Sequence, residues 1–456
     1  MEIVREKTNP WRIDFRKIGL SFLVLYIVCT FMMIQHLTVS TDRFLKADVG
    51  NNFAVEGFTP KQPLDSNKTY GCYGNPPKQS EFVDIGKGYF VLSAYLDRRE
   101  STQTVIRILS IKPTESSSQV YCLIPNADNS LNAVPATELV LDNKDDSHEY
   151  SAVVFHCELE KVASTLCKVW LGFSPKLDKK TVPLPLLHLN PELNYDNTQF
   201  LVCVPPLDGV VQQNRFVEFI ETQVIFGAHK FQVYSFTGDK NQAYNNPNIN
   251  QILEFYHGQI TKRSWQLPIP KESISKLAGN LAMTECFLEV ITLGYKYALQ
   301  LALNEYLVPH NVATWVDMIQ PYPPPPHQPS DLGAFCFPVE RFAAQSGELL
   351  LTLTSIFRHK REEDTAITTS DVICVVRSEA VAYKSSAGVE LVAGWQHTTV
   401  DPTLGHAHRY VVCSSFDWSV GGKDNNIMDR SMAKYSAELE HRFKRAMQRL
   451  ARFQHK

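Results

Sequence analysis

The pattern of apolar and polar positions divides the chain into regions of distinct texture. Ile18 to Ile34 (IGLSFLVLYIVCTFMMI) is uncharged and strongly apolar, and the run extends through Gln35 and His36 to Val39. At ~1.5 Å per residue the extended segment reaches roughly 33 Å, enough to cross a hydrocarbon core. From Ser40 to about Gly71 periodicity disappears and Asn-Asn, Pro and Ser recur, the texture of a stem. Then Gly88 to Tyr95, Thr104 to Ile111, Gln119 to Ile124 and Tyr150 to Phe155 are rich in β-branched and aromatic residues, with turn-formers between them. These runs predict a β-rich region over 72–197, in the form of a small sandwich. Within it, Thr181 to Asn197 carries several prolines and no strong period, which predicts a linker.

Beyond residue 198 short apolar runs alternate with helical periodicity. Phe200 to Val204, Lys230 to Phe236, Ile260 to Trp265 and Tyr297 to Leu303 read as strands. Asn214 to Phe226, Ile249 to Tyr256 and Ile274 to Leu293 read as helices. Strict succession of strand and helix predicts a parallel α/β sheet over 198–420. Ligands of such sheets bind beyond the carboxyl ends of the strands, which directs attention to the residues after Leu303. Pro321 to Pro326 reads as a polyproline II loop, and Arg430 to Phe453, within the segment 421–456, as an amphipathic C-terminal helix.

Charge orients the apolar segment. Arg5, Lys7, Arg12, Arg16 and Lys17 precede it and only Arg43 and Lys46 follow closely, which places residues 1–17 in the cytoplasm, 18–39 in the membrane and 40–71 in a luminal stem. Thr38-Val39-Ser40 loosely fits a signal-peptide cleavage site, but the apolar run exceeds the usual signal core of about 7–15 residues. The reading is a single-pass type II membrane protein with a luminal C-terminal domain. A net charge of −3 excludes nucleic acid as the main partner, since no basic surplus exists to neutralise phosphates. The ten cysteines contain no CxxC pair, so disulfides in an oxidising lumen are expected rather than zinc. Asn67-Lys68-Thr69 is a glycosylation sequon placed in the stem.

Several stretches resemble glycosyltransferase family 92. Phe216 to Glu221, Phe226-Gly-Ala-His229, Leu253 to Gly258 and Trp265 to Pro268 are similar to that family's opening motifs. Leu281-Ala-Met-Thr-Glu-Cys286 falls where the family has Asn-Asp-Cys, and Leu303 to Pro309 where it has Asp-x-Asp-Glu-Phe-x-x-Pro. Gly394 to His397, His408-Arg-Tyr410 and Asp429 to Tyr435 resemble its closing motifs, and Ala94 to Arg98 a feature of its N-terminal luminal region. The resemblance implies a glycosyltransferase A type Rossmann-like sheet in the Golgi. It implies transfer of a hexose, galactose in the better-known members, from a uridine diphosphate sugar to a glycan, with homo- or hetero-oligomers including a paralogue as an option.

The resemblance also implies residue roles. Glu305 and Glu285 take catalytic positions; Glu221, Trp265, Asn280 and His408 substrate-binding ones; Asn304, Glu305 and His397 those of ligands to Mn²⁺ or Mg²⁺. Carboxylates spaced by one residue suit these oxygen-preferring cations, which neutralise a diphosphate as it leaves. Here, however, the Asp-x-Asp positions hold Ala302 and Asn304, and Glu285 replaces the aspartate of Asn-Asp-Cys. An alternative therefore stands beside the transferase: an inactive relative that binds glycan or nucleotide sugar or regulates a paralogue. Plainer readings exist for individual residues: Glu305 caps a turn, His397 faces solvent, Glu218 and Glu221 form a charged helix face, Trp265 lies in a core, and Asp97 belongs to a surface turn.

Overall fold

The computed structural model describes residues 81–100, 103–125, 130–142, 147–159, 166–178, 181–189, 199–207, 211–236, 247–320, 331–344, 359–360, 371–412, 427–428 and 431–454. The tail, the apolar run 18–39, the stem with Asn67, residues 190–198 and the polyproline stretch lie outside them. Among the described residues no helix is long and apolar enough to cross a membrane.

The N-terminal strands are β1 (Val83–Gly86), β2 (Tyr89–Asp97), β3 (Thr104–Pro113), β4 (Tyr121–Pro125), β5 (Leu131–Pro135), β6 (Thr137–Val140), β7 (Tyr150–Leu159), β8 (Lys168–Gly172) and β9 (Val182–Leu189). They form one sheet in the order β5-β4-β8-β9-β2-β3-β7-β6, with β1 beside β2. Its two ends, β5 and β6, are separated in sequence only by Ala136, so the sheet must curl until its edges approach. The sandwich expected from sequence is thus replaced by one curled sheet around Tyr89, Ile106, Ile108, Val153 and Leu171.

The linker expected at 181–197 is, over its first half, strand β9. Pro183 and Pro185 are exposed while Leu184 and Leu186 are buried, a period of two that the prolines hide from a propensity reading. Pairing with β2 begins only at Leu186, past both prolines, so their missing N–H groups cost no ladder bond there.

The second sheet is built from β10 (Phe200–Leu207), β11 (Ala228–Phe236), β12 (Ile260–Trp265), β13 (Tyr297–Gln300), β14 (Glu305–Pro309), β15 (Leu332–Ala344), β16 (His359–Lys360) and β17 (Val372–Arg377). After the separate hairpin β18 (Val381–Ser385) and β19 (Gly388–Leu391), it is completed by β20 (Gln396–Thr399), β21 (Gly405–Val412) and β22 (Ile427–Met428). Its helices are α1 (Gln213–Phe226), α2 (Pro247–Phe255), α3 (Gly279–Leu293), α4 (Trp315–Ile319) and α5 (Ser436–Gln454). Strands β12-β11-β10-β13 are parallel, and β17 and β15 continue the sheet antiparallel.

Burial explains why the parallel strands read as continuous apolar runs. Phe200, Val202 and Val204 of β10 face α1, α2 and α5, where Phe216, Phe219, Ile252, Leu439 and Leu450 pack. Leu201 and Cys203 face the other way, toward α3. Helix α3 is buried from Leu281 through Ile291, as expected of a helix apolar on most sides. It lies between the large sheet and the Tyr95, Leu109, Ile111 and Val154 face of the curled sheet, so both sheets share one core within a compact unit spanning Tyr70–Lys456.

Disulfides join Cys122 to Cys157, Cys203 to Cys286 and Cys336 to Cys374. The second ties β10 to α3 across 83 residues of sequence. Loop-closure entropy puts its worth at about 4 kcal/mol. Replacing both cysteines with alanine should lower the unfolding free energy by about that amount in denaturant titrations; an unchanged midpoint would contradict this.

Candidate functional site

The parallel strands have a switch point. From β10 the chain winds outward through β11 and β12, then returns to β13 on the opposite side of β10. Divergent connections leave a crevice at the carboxyl ends of β10 and β13. A cavity of about 520 Å³ opens there, lined by Pro205 and Pro206 from the end of β10 and Gln300 from the end of β13. Gly279 and Asn280 line it from the first turn of α3, Asp142 from the curled sheet, and Lys276, Lys384 and Ser386 complete the wall.

The approach to α3 departs from the continuous helix expected from Ile274. Lys276, Leu277 and Ala278 all adopt left-handed conformations, with φ of 43°, 58° and 54°. None is glycine, so each costs on the order of 1 kcal/mol or more, and such strain concentrates at ligand clamps. The turn delivers the N-terminus of α3, which has no side-chain cap at Ala278, to the cavity wall. The positive end of the helix dipole favours an anion there.

Two ammonium groups reinforce that field. Burial, then the charge of Lys276, lowers the Lys384 pKa from its ordinary value to about 8. Holding Lys384 protonated in this place costs on the order of 2–3 kcal/mol of stability. The backbone N–H of Lys384 donates to Thr284 Oγ1, which in turn donates to the Asn280 carbonyl, fixing the hairpin against α3. Asn280 Nδ2 donates to the Leu141 carbonyl at 2.9 Å, and Ser386 N to the same oxygen at 2.8 Å. The curled sheet therefore builds one wall of the site. Gln300 Oε1, at the end of β13, is buried without a hydrogen-bond partner.

Of the residues singled out from sequence, Asn280 lines this cavity and the rest are placed elsewhere. Glu305 Oε2 accepts from Ala302 N at 2.8 Å, and its Oε1 accepts from Arg409 Nε at 2.8 Å, with Arg409 also bound to Asp371. This is close to the turn-capping alternative. Asn304 is doubly bonded to Tyr410, donating from Nδ2 to its carbonyl and accepting from its N–H. His397 is exposed and hydrogen-bonded to the Val389 carbonyl. It sits level with Ala334 on β15, whereas Glu305 sits level with Arg341 through Arg409. Seven residues of strand put the two levels roughly 20 Å apart. Ala302, Asn304, Glu305 and His397 thus do not assemble an oxygen-rich set around one Mn²⁺ or Mg²⁺.

The carboxylates on helices are structural partners. Glu285 accepts from Tyr234 Oη inside the core, next to the Gln232, Glu289 and Arg263 network, and does not line the cavity. Glu221 accepts from Tyr256 Oη and Arg442 Nε, tying α1 to α5 and the end of α2. Trp265 is buried, edge-on to Tyr234 and Phe82, and its Nε1 donates to the Leu277 carbonyl. That bond helps hold the strained turn. His408 is buried on β21, stacked on Phe342.

Asp97 is not a surface residue. It is 3 % exposed and binds Arg99 and Arg107, while Arg99 Nη1 reaches the carbonyls of Ser378, Glu379 and Val381. The pair of arginines makes this acid a buried anchor between the curled sheet and the segment leading into β18.

A sheet flanked by helices on both faces, with two lysines lining the crevice at its switch point, defines an α/β protein. The chain belongs to glycosyltransferase family 92, whose family model matches residues 198–445. No curated protein sequence matches the chain. Solved structures with local similarity include a ferredoxin-NADP+ reductase from Plasmodium falciparum, 10% identical over 45% of this chain and 77% of that one, TM-score 0.14. Another is the cytochrome b5 reductase domain of Ulva prolifera nitrate reductase, 8% identical over 40% and 77%, TM-score 0.12. Likeness at that level bears on neither fold nor function.

Proposed function

We propose that the protein transfers a hexose from a uridine diphosphate sugar, galactose in the first instance, to a glycan hydroxyl, with Lys276, Lys384 and the α3 N-terminus holding the diphosphate. The observation that carries this reading is the pair of lysines beside an uncapped helix at the switch-point cavity. In the Mn²⁺- or Mg²⁺-dependent scheme a divalent ion neutralises the leaving diphosphate; here two ammonium groups serve that purpose. Asp142, the carboxylate among the described lining residues, is assigned as general base. The acceptor oxygen bonds to the anomeric carbon as the carbon–oxygen bond to the diphosphate breaks. The acceptor proton passes to Asp142, and the electron pair leaves with the diphosphate. The three disulfides among the described residues support a secretory-lumen location, and the 18–39 run supports a type II anchor in the Golgi membrane.

Transfer assays of the purified chain with uridine diphosphate hexoses and oligosaccharide acceptors test the reading. Asp142→Asn should lower kcat at least 10²-fold while donor affinity stays within about threefold. Full activity of that variant would overturn the assignment of Asp142. The positions of Ala302 and Asn304 favour a second reading, a nucleotide-sugar binder without turnover; donor binding with no transfer to any acceptor would establish it.

A further inference from the structure

We propose that His310, His406 and His408, completed by Glu340, form a site for a borderline divalent metal, zinc in particular, at the end of β14 remote from Glu305. The candidate nitrogens of the three histidines all lie within 4.8 Å of one another. The convergence follows from strand geometry. His406 and His408 are two residues apart on β21 and so project from one face. On one side β14 runs antiparallel, with Val308 opposite His406 and Tyr306 opposite His408. The next residue of that face is His310, whose N–H bonds to the Leu404 carbonyl just before β21 begins. On the other side β15 places Glu340 opposite His408. Glu340 Oε2 lies 3.5 Å from His406 Nε2.

Three neighbouring chain segments thus bring three imidazoles together, with the Glu340 carboxylate beside His406. The rings of His310 and His406 pack edge to face, with centroids 3.8 Å apart, and would separate somewhat to share an ion. Zinc accepts this donor set in tetrahedral geometry, with ligand atoms about 3.3 Å apart. Zinc binding would draw the nitrogens together from separations of up to 4.8 Å. Imidazole nitrogens disfavour Mn²⁺ and Mg²⁺, so the site differs in chemistry from the Asp-x-Asp positions as well as in place. Phe342 stacked on His408 gives it an apolar wall, and His406 and Glu340 remain partly open to solvent for ion entry. Four protein ligands make a closed, structural site that staples β14, β21 and β15.

The test uses the full chain stripped with chelator and titrated with Co²⁺ and Zn²⁺. One equivalent of Co²⁺ should give the visible absorption of tetrahedral cobalt and be displaced by Zn²⁺. Excess Zn²⁺ should raise the melting temperature by about 5 °C. His406→Ala and His310→Gln, both at partly exposed positions, should each weaken binding at least tenfold while retaining the native circular dichroism spectrum. His408→Ala, at a buried position, is a secondary variant. Unaltered Zn²⁺ binding in both primary variants, or no binding by the parent chain at 100-fold excess, overturns the proposal. Neither result touches the lysine cavity, which is read by donor binding.

Discussion

Replacing Lys384 by methionine should make the protein more stable and a poorer donor binder at once. The ammonium is held in a half-buried place against Lys276, which lowers its pKa to about 8. The sign follows from linkage. Between pH 8 and the ordinary lysine value the unfolded chain keeps a proton that the native chain has released, so this group's unfavourable contribution is full below pH 8 and is relieved as pH rises. Methionine keeps the stem and removes the charge, for an expected gain of about 1–3 kcal/mol in denaturant unfolding. A charge-assisted contact to a phosphate oxygen is worth about 1.5–3 kcal/mol, so donor affinity should fall about 10- to 100-fold. Lysine retained only for packing would lose stability on this change and leave affinity intact. In the parent chain, kcat/KM for the donor should decline as pH rises above 8, where Lys384 loses its proton. In Lys276→Met that limb should move to higher pH, because one source of repulsion is gone.

The second large effect is expected at Asp97. Burial alone pushes its carboxyl pKa upward, but Arg99 and Arg107 outweigh burial and hold it well below the usual carboxylate range. Asp97→Asn strips Arg99 of its carboxylate partner and leaves Arg107 only the more distant Glu100, 3.8 Å away, and loss of one partner of a buried pair costs about 3–5 kcal/mol. Thermal or denaturant unfolding should show it; a loss under 1 kcal/mol would contradict the anchor role. His156 belongs to the same cluster, 2.9 Å from Arg107 through Nε2, and burial, then the Arg107 charge, lowers its pKa to about 3. From pH 6.5 down to 3 the unfolded chain takes up a proton that the native chain refuses, so stability falls as pH drops through that window. About 2 kcal/mol should be lost between pH 6.5 and 5, and His156→Gln should flatten that dependence while still accepting from Arg107.

The parallel core of the fold was legible because its strands are buried on both faces and its helices carry one strong period. Phe200 to Val204 and the α1 pattern announce themselves without any tertiary information. The antiparallel extension from β15 to β21 was not, since its strands pair across long sequence distances. Strand β9 was hidden by prolines that only its one-sided pairing tolerates. At the candidate site, the rule of strand carboxyl ends directs attention past Leu303, where the chain forms a turn that Asn304 and Glu305 stabilise. The cavity lies instead between the ends of β10 and β13, and Pro205-Pro206 directly after a buried strand was the available signal. Lys384 comes from a hairpin 100 residues from its hydrogen-bond partner Thr284, a proximity no local pattern encodes. The left-handed turn at Lys276 to Ala278 carries no glycine to mark it, and Asp97 next to Arg98 and Arg99 has the look of a surface turn.

The most direct test of the lysine cavity is calorimetric titration of the compact unit, residues 70–456, with uridine diphosphate in EDTA and again with Mn²⁺. The account predicts one site, with affinity changed less than threefold by Mn²⁺ and reduced at least 10³-fold in the double variant Lys276→Ala/Lys384→Met. Binding that requires Mn²⁺, or that survives loss of both lysines, would contradict it.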